Sequence, residues 1–188
     1  MSIERCPWAT HSELEATYHD REWGVPVHDE RTLFEFLTLE GAQAGLSWRT
    51  VLAKRAAYER VFLHYDLPAL AELSDAELEQ RLQDPGIVRN RLKVWSVRHN
   101  ARAALALQAR HGSLDRFLWA YVNGEPIDGR RTHSSEVPAR TPLSDRLSKD
   151  LTKAGFKFVG STIVYAYMQA VGMVNDHLID CPQYRRPR

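Results

Sequence analysis

Apolar residues in this 188-residue chain recur at three- and four-residue spacing, and no segment alternates apolar with polar residues long enough to make a half-buried strand. That pattern restricts the chain to an all-α fold. One stripe, Leu33, Phe36 and Leu37, has Thr32 as its expected N-cap, and extended by three or four residues it arrives at Glu40. Gly45 is expected to end this helix and Ser47 to cap the next, which runs from Trp48 to about Phe62. Trp48 is thus placed at a helix start, one short loop beyond Glu40.

The remaining punctuation is similar. Ser74-Asp75-Ala76-Glu77 has capping-box form and starts a short helix that stops before Asp84-Pro85-Gly86. From Asn90 a longer helix carries Leu92, Trp95, Ala103 and Leu107 inward as far as His111-Gly112, and Ser113 caps another with Leu114, Phe117, Leu118 and Tyr121 inward. Positions 124–140 read as loop, Pro142 as the first residue of a helix ending at Gly155, and Ser161 as the opening of a last helix. The tail 185–188 is expected to be loose.

The length suits one helical domain over residues 1–188. A net charge of +1 gives no global attraction to nucleic acid, so any such binding needs a local basic patch. No apolar run is long enough to span a bilayer and no signal-peptide pattern opens the chain. The expectation is a cytoplasmic protein without membrane partners.

Three groups of residues carry chemistry. A carboxylate at Glu40, on the apolar face of a helix, is costly unless something satisfies it, and beside the Trp48 indole it could grip a flat polar ring. The structural alternatives are that Glu40 turns outward at the edge of the stripe or pairs with an arginine, and that Trp48 is ordinary core. Cys6 and Cys181 are the two cysteines, at opposite ends of the chain, with His19 near the first and His177 four residues before the second. Two sulfurs and two imidazoles make a closed tetrahedral zinc site of the structural kind, with His177 and Cys181 on one face of a helical turn; four unrelated residues are the alternative. Such a site would fix an N-terminal segment rich in Trp8, Tyr18 and Trp23. Finally, Gly155-Phe156-Lys157-Phe158-Val159-Gly160 joins two helices. It suits close approach of a phosphate backbone to the amides opening the Ser161 helix, with Lys149, Lys153 and Lys157 nearby, or else it is a packing corner.

Cys6-Pro7-Trp8, Tyr18 to Gly24, Leu39 to Trp48, Gly155 to Gly160, and Val174 to His177 with Cys181 together resemble the DNA-3-methyladenine glycosylase I family, in register over nearly the whole chain. The resemblance implies a two-lobed, all-helical fold of the helix-hairpin-helix kind and excision of 3-methyladenine from double-stranded DNA by a monomer, leaving an abasic site. It implies one structural zinc ion per chain on Cys6, His19, His177 and Cys181. Glu40 would read the flipped base, Tyr18 and Trp48 would enclose its ring, and Trp8 and Trp23 would form nearby wall. Gly155, Lys157, Gly160 and Ser161 would clasp DNA, and Leu46, between small neighbours in the joint, is the candidate wedge. The alternative is a non-catalytic, zinc-stabilised binder of damaged DNA. Asp176, nominated as a base for water, neighbours a zinc ligand. Glu15 stands where the family often has a second pocket tyrosine, a departure in the pocket wall.

Overall fold

The computed structural model describes residues 5–184. Among them the helices are α1 (Glu13–Arg21), α2 (Glu30–Gln43), α3 (Trp48–Ala53), α4 (Arg55–Val61), α5 (Leu67–Ala71), α6 (Asp75–Leu82), α7 (Arg91–His111), α8 (Leu114–Trp119), α9 (Pro142–Lys153) and α10 (Ser161–Ala170). No helix among the described residues is long and apolar enough to cross a membrane. The expected loose tail lies outside the described residues.

Helix α2 is the axis of the site. It touches α3, α7, α8 and α10, and buries Leu33, Phe34, Phe36, Leu37 and Leu39. Its cap is Asp29, not Thr32: the Asp29 carboxylate accepts from the Thr32 backbone N–H at 2.9 Å and from the Thr32 hydroxyl at 2.7 Å. Thr32 is therefore the donor in the cap.

The helix expected from Trp48 to Phe62 breaks at Lys54, where the Lys54 N–H turns back to the Val51 carbonyl at 2.9 Å, a tightened last turn. The break aims Arg55 at Glu22 and Glu35 while Tyr58, Val61 and Phe62 stay buried. Helix α1, which the polar composition of that segment hid, is capped by Ser12. The capping box at Ser74 and the proline opening α9 stand as expected. Leu92 does not turn inward. It is 72% exposed, because the buried stripe of α7 runs through Val94, Val97, Ala101 and Ala104, and Trp95 lies half-buried beneath Arg91.

The loop at 124–140 contains a short departure from the all-α expectation. β1 (Ile127–Asp128) pairs in parallel with β2 (Val174–Asn175), two residues each, and an isolated bridge joins Arg131 to Leu178. The loop strand is exposed, but its pairing satisfies carbonyls of the buried segment after α10: the Ile127 N–H donates to the Met173 carbonyl and the Gly129 N–H to the Asn175 carbonyl, both at 2.9 Å.

At the other end of α10 the hairpin from α9 is locked from both sides. Asn100 accepts from the Lys157 N–H at 2.7 Å and donates to its carbonyl at 3.1 Å, and Ser148 donates to the Val159 carbonyl at 2.6 Å. Phe156 and Val159 are buried, whereas Gly155, Lys157 and Gly160 are exposed. The hairpin meets α2 at Gly41, where a Cβ would stand 3.1 Å from Phe158 Cβ. A glycine there lets the hairpin close on the helix one residue from Glu40.

Candidate active site and metal cluster

A cavity of about 620 Å³ opens between α1, the α2–α3 joint, α10 and the 134–137 segment. Its aromatic walls come from two places. Trp8, Tyr18 and Trp23 approach from the N-terminal segment, with Trp8 packed edge-on to Trp23 at 5.1 Å between centroids. Trp48 approaches from the start of α3, where Ser47 caps the helix. Tyr18 and Trp48 touch each other, 5.4 Å apart and inclined at 50°, so they form one corner of the cavity, not two facing walls.

Glu40 reaches this corner from the last turns of α2. It is 5% exposed, and no described residue is hydrogen-bonded or ion-paired to its carboxyl group. The arginine alternative does not hold, since the nearby Arg55 is taken up by Glu35 and Glu22, both at 2.7 Å. Desolvation alone pushes the Glu40 carboxyl up to about 8. Burial therefore holds it mainly as the neutral acid at pH 7, which revises the expectation of a standing carboxylate. Two further polar atoms beside it, the Tyr18 hydroxyl and Trp48 Nε1, are buried without partners. Burial first, and Glu40 second, push the Tyr18 phenol well above its ordinary range, so it remains a neutral donor. Buried polar groups without partners are uncommon in native interiors, and here the Tyr18 hydroxyl and Trp48 Nε1 join Glu40 at one cavity, whereas the Tyr65 hydroxyl and Arg98 Nε are buried elsewhere.

Asp176 also lines the cavity but is fully engaged. Its Oδ1 accepts from Arg131 Nε at 2.9 Å, and its Oδ2 from the Tyr165 hydroxyl at 2.5 Å and Gln169 Nε2 at 2.9 Å. A carboxylate held by these donors is occupied as an anchor for the 131–137 segment and does not serve as a base for water. Gln43 and Gln169, absent from the residues expected at the site, also line the cavity. Gln43 follows Glu40 by three residues, a spacing that puts both on one helix face and so was readable. Gln169 required the tertiary contact to Asp176.

Behind the aromatic wall, Cys6, His19, His177 and Cys181 converge, all buried, with their ligand atoms within 4.8 Å of one another. Cys6 Sγ and Cys181 Sγ each lie 3.7 Å from His177 Nδ1, and Cys181 Sγ lies 3.6 Å from His19 Nε2. The outer ring nitrogens are also held: His19 Nδ1 by Asp20 at 2.8 Å and His177 Nε2 by the Trp23 carbonyl at 3.0 Å. The group could hold a metal ion. His177 and Cys181 are not on a helix, however. They sit in a turn after β2, closed by the Cys181 N–H on the Leu178 carbonyl at 2.8 Å, and the long-range bridge to Arg131 shapes that turn. Trp23 packs edge-on against His177 at 4.6 Å, so cluster and cavity share a wall.

The remaining expected residues, Leu46, Gly155, Lys157, Gly160 and Ser161, are not part of the cavity lining. Leu46 is 40% exposed at the tip of the α2–α3 joint, which Lys93 clamps by donating to the Ala42 and Ala44 carbonyls at 2.8 and 2.6 Å. A Cβ on Gly160 would meet nothing within 4 Å. Ser161 opens α10 and bonds to Ser144 at 2.8 Å.

The family model for methyladenine glycosylase matches residues 8–184. The chain belongs to the methyladenine glycosylase family. Among its relatives, DNA-3-methyladenine glycosylase 1 of Escherichia coli is 46% identical over 182 residues, covering 97% of each chain. DNA-3-methyladenine glycosylase of Haemophilus influenzae is 42% identical over 178 residues, covering 95% of this chain and 96% of that one. The solved 3-methyladenine DNA glycosylase I of Staphylococcus aureus superposes with a TM-score of 0.96 at 34% identity, covering 100% of both chains. Family membership and a largely helical fold of this kind thus agree with the resemblance drawn from the motifs.

Proposed function

We propose that this protein is a DNA-3-methyladenine glycosylase, hydrolysing the bond between 3-methyladenine and deoxyribose in alkylated duplex DNA. Its relatives carry that name, and one solved neighbour at 35% identity holds 3-methyladenine. The observation that carries the reading is the partnerless Glu40 at an aromatic corner, with the Tyr18 hydroxyl and Trp48 Nε1 equally unmatched.

The target base must leave the duplex before its glycosidic bond can be reached. In the cavity its ring stacks against the Tyr18–Trp48 corner, with Trp8 and Trp23 beyond. Methylation at N3 makes the nucleoside cationic. A cation arriving beside the Glu40 carboxyl favours release of the carboxyl proton to water, and the resulting carboxylate accepts a hydrogen bond from the exocyclic amine. As the N9–C1′ bond breaks, its electron pair goes to N9 and neutralises the base. Water bonds to C1′ and gives up a proton, which leaves an abasic site. With so good a leaving group, acid catalysis is not needed, and the protein supplies orientation and a countercharge. Glu40 is the one catalytic residue in this scheme.

Zinc fits the buried cluster. Zn–S and Zn–N bonds of ordinary length in a tetrahedron put S and N about 3.6 Å apart, close to the separations present. Four protein ligands leave no open position, so Cys6, His19, His177 and Cys181 would hold the ion as a structural tie between the two terminal segments. The helix groups on either side of α2 serve as the two lobes. Leu46 fills the gap left by the base, and Gly155, Lys157, Gly160 and Ser161 receive the DNA backbone. All these groups lie on one chain, in keeping with action as a monomer.

The test is to incubate methylated duplex DNA with the protein and chromatograph the released bases. Free 3-methyladenine with a matching number of abasic sites supports the proposal. Tight binding without release indicates a damage-binding protein instead, and the absence of both release and binding overturns the reading altogether.

A further inference from the structure

Besides Glu40 and the fully engaged Asp176, the cavity has a third carboxyl group, which the scheme above does not use. Glu15 sits three residues before Tyr18 on α1, lines the same cavity, and is 7% exposed. Its Oε2 accepts from the Ser12 hydroxyl at 2.8 Å, while Ser12 Oγ accepts from the Glu15 N–H at 3.2 Å. That exchange pins the side chain at the start of the helix, where the helix dipole favours negative charge. No described residue bonds to Oε1.

Resting on the proposed glycosylase reading, we infer that Glu15 is a second reader of the base, selecting for positive charge in the ligand. The charged and titratable groups around the cavity leave few alternatives. Asp176 is neutralised by Arg131 and further held by Tyr165 and Gln169. His11 is exposed at the rim. Burial pushes the Glu40 carboxyl up to about 8, so it is mainly neutral at pH 7. Glu15 is therefore the one carboxyl group lining the cavity, besides Glu40, with an oxygen that no described residue engages, and it can meet an incoming cationic purine directly. It reaches the cavity from α1, whereas Glu40 reaches it from α2, so the two act on different parts of the ligand. An undamaged purine, uncharged, gains nothing from either and carries the cost of desolvating both. The ligand class is an N-alkylated purine with a fixed positive charge.

The competing account is that Glu15 only caps α1. Two variants separate the accounts. Glu15→Gln keeps an acceptor for Ser12 and removes the charge, whereas Ser12→Ala removes the cap and keeps the charge. The probes are 3,9-dimethyladeninium, a permanent cation, and free 3-methyladenine, neutral at pH 7.5, with binding measured by calorimetry on the metal-replete protein. Glu15→Gln should weaken binding of the cation about tenfold, the scale of one charge-assisted contact, and change the neutral base less than about twofold. Ser12→Ala should lower the melting temperature and leave the ratio of the two affinities unchanged. If Glu15→Gln binds both probes in the parent ratio, the inference is overturned and the glycosylase reading stands. If the parent binds neither probe, both are overturned.

Discussion

Replacing Glu40 by glutamine should make the protein more stable as the pH rises, and the size of the gain follows from its burial. Desolvation by burial lifts the Glu40 carboxyl from 4.5 to about 8. Between those values the folded protein retains a proton that the unfolded chain gives up, so the contribution of Glu40 to stability falls as pH rises through this window and is flat on either side. At about 1.36 kcal/mol per tenfold change in proton affinity, the full span is about 5 kcal/mol, of which about 3 kcal/mol is already lost at pH 7. Glutamine has nearly the same shape and no proton to lose. Glu40→Gln should match the parent near pH 4.5 and exceed it increasingly toward pH 8.5. At about 2–4 °C per kcal/mol for a chain of this size, the melting temperatures should diverge by about 10 °C or more. The assay is thermal unfolding of both proteins from pH 4.5 to 9, in which contributions from every other group cancel in the difference. Parallel curves would refute the claim that Glu40 is buried without a partner. The same variant should lose excision of 3-methyladenine, which makes the unpaired acid a stability cost retained for function.

The metal cluster, the hairpin and the joint each give a further outcome. Protein never exposed to chelator should contain one zinc ion per chain, and removing it should lower the melting temperature and speed proteolysis of the N-terminal segment; metal analysis showing none would exclude the site. Gly160→Leu, placed where a side chain meets open space, should weaken DNA binding across sequences without altering affinity for free 3-methyladenine. Lys157→Ala should reduce the salt dependence of DNA binding by about one phosphate contact, and parent-like binding by both variants would make the hairpin a packing corner. Leu46→Gly should slow excision from duplex far more than from single-stranded DNA, as measured by single-turnover rates; equal losses would count against insertion.

The parts of this protein that depend on neighbours within four residues were legible in its sequence. Ser47 and Ser74 cap their helices, Pro142 opens α9, and the stripe Leu33–Phe36–Leu37 delivers Glu40 to a buried position. A cap or a stripe is decided by side-chain chemistry at fixed helical offsets, so the sequence alone carries it. Even here the competition between Asp29 and Thr32 turned on which side chain met which N–H, and the break at Lys54 served the long-range pull of Glu22 and Glu35 on Arg55. Motifs placed Cys6 and His19 with His177 and Cys181, but the turn that aims the latter pair depends on a bridge to Arg131, far away in the chain. The same holds for the chemistry of the carboxyl groups. Glu35, Glu40 and Asp176 are equivalent as letters. Tertiary structure gives Arg55 to the first and Arg131 to the last, and leaves Glu40 facing the cavity without a partner. Whether a buried acid is an anchor or a reactive group depends on which distant donors the closed fold brings within hydrogen-bond range, and no local pattern encodes that distance.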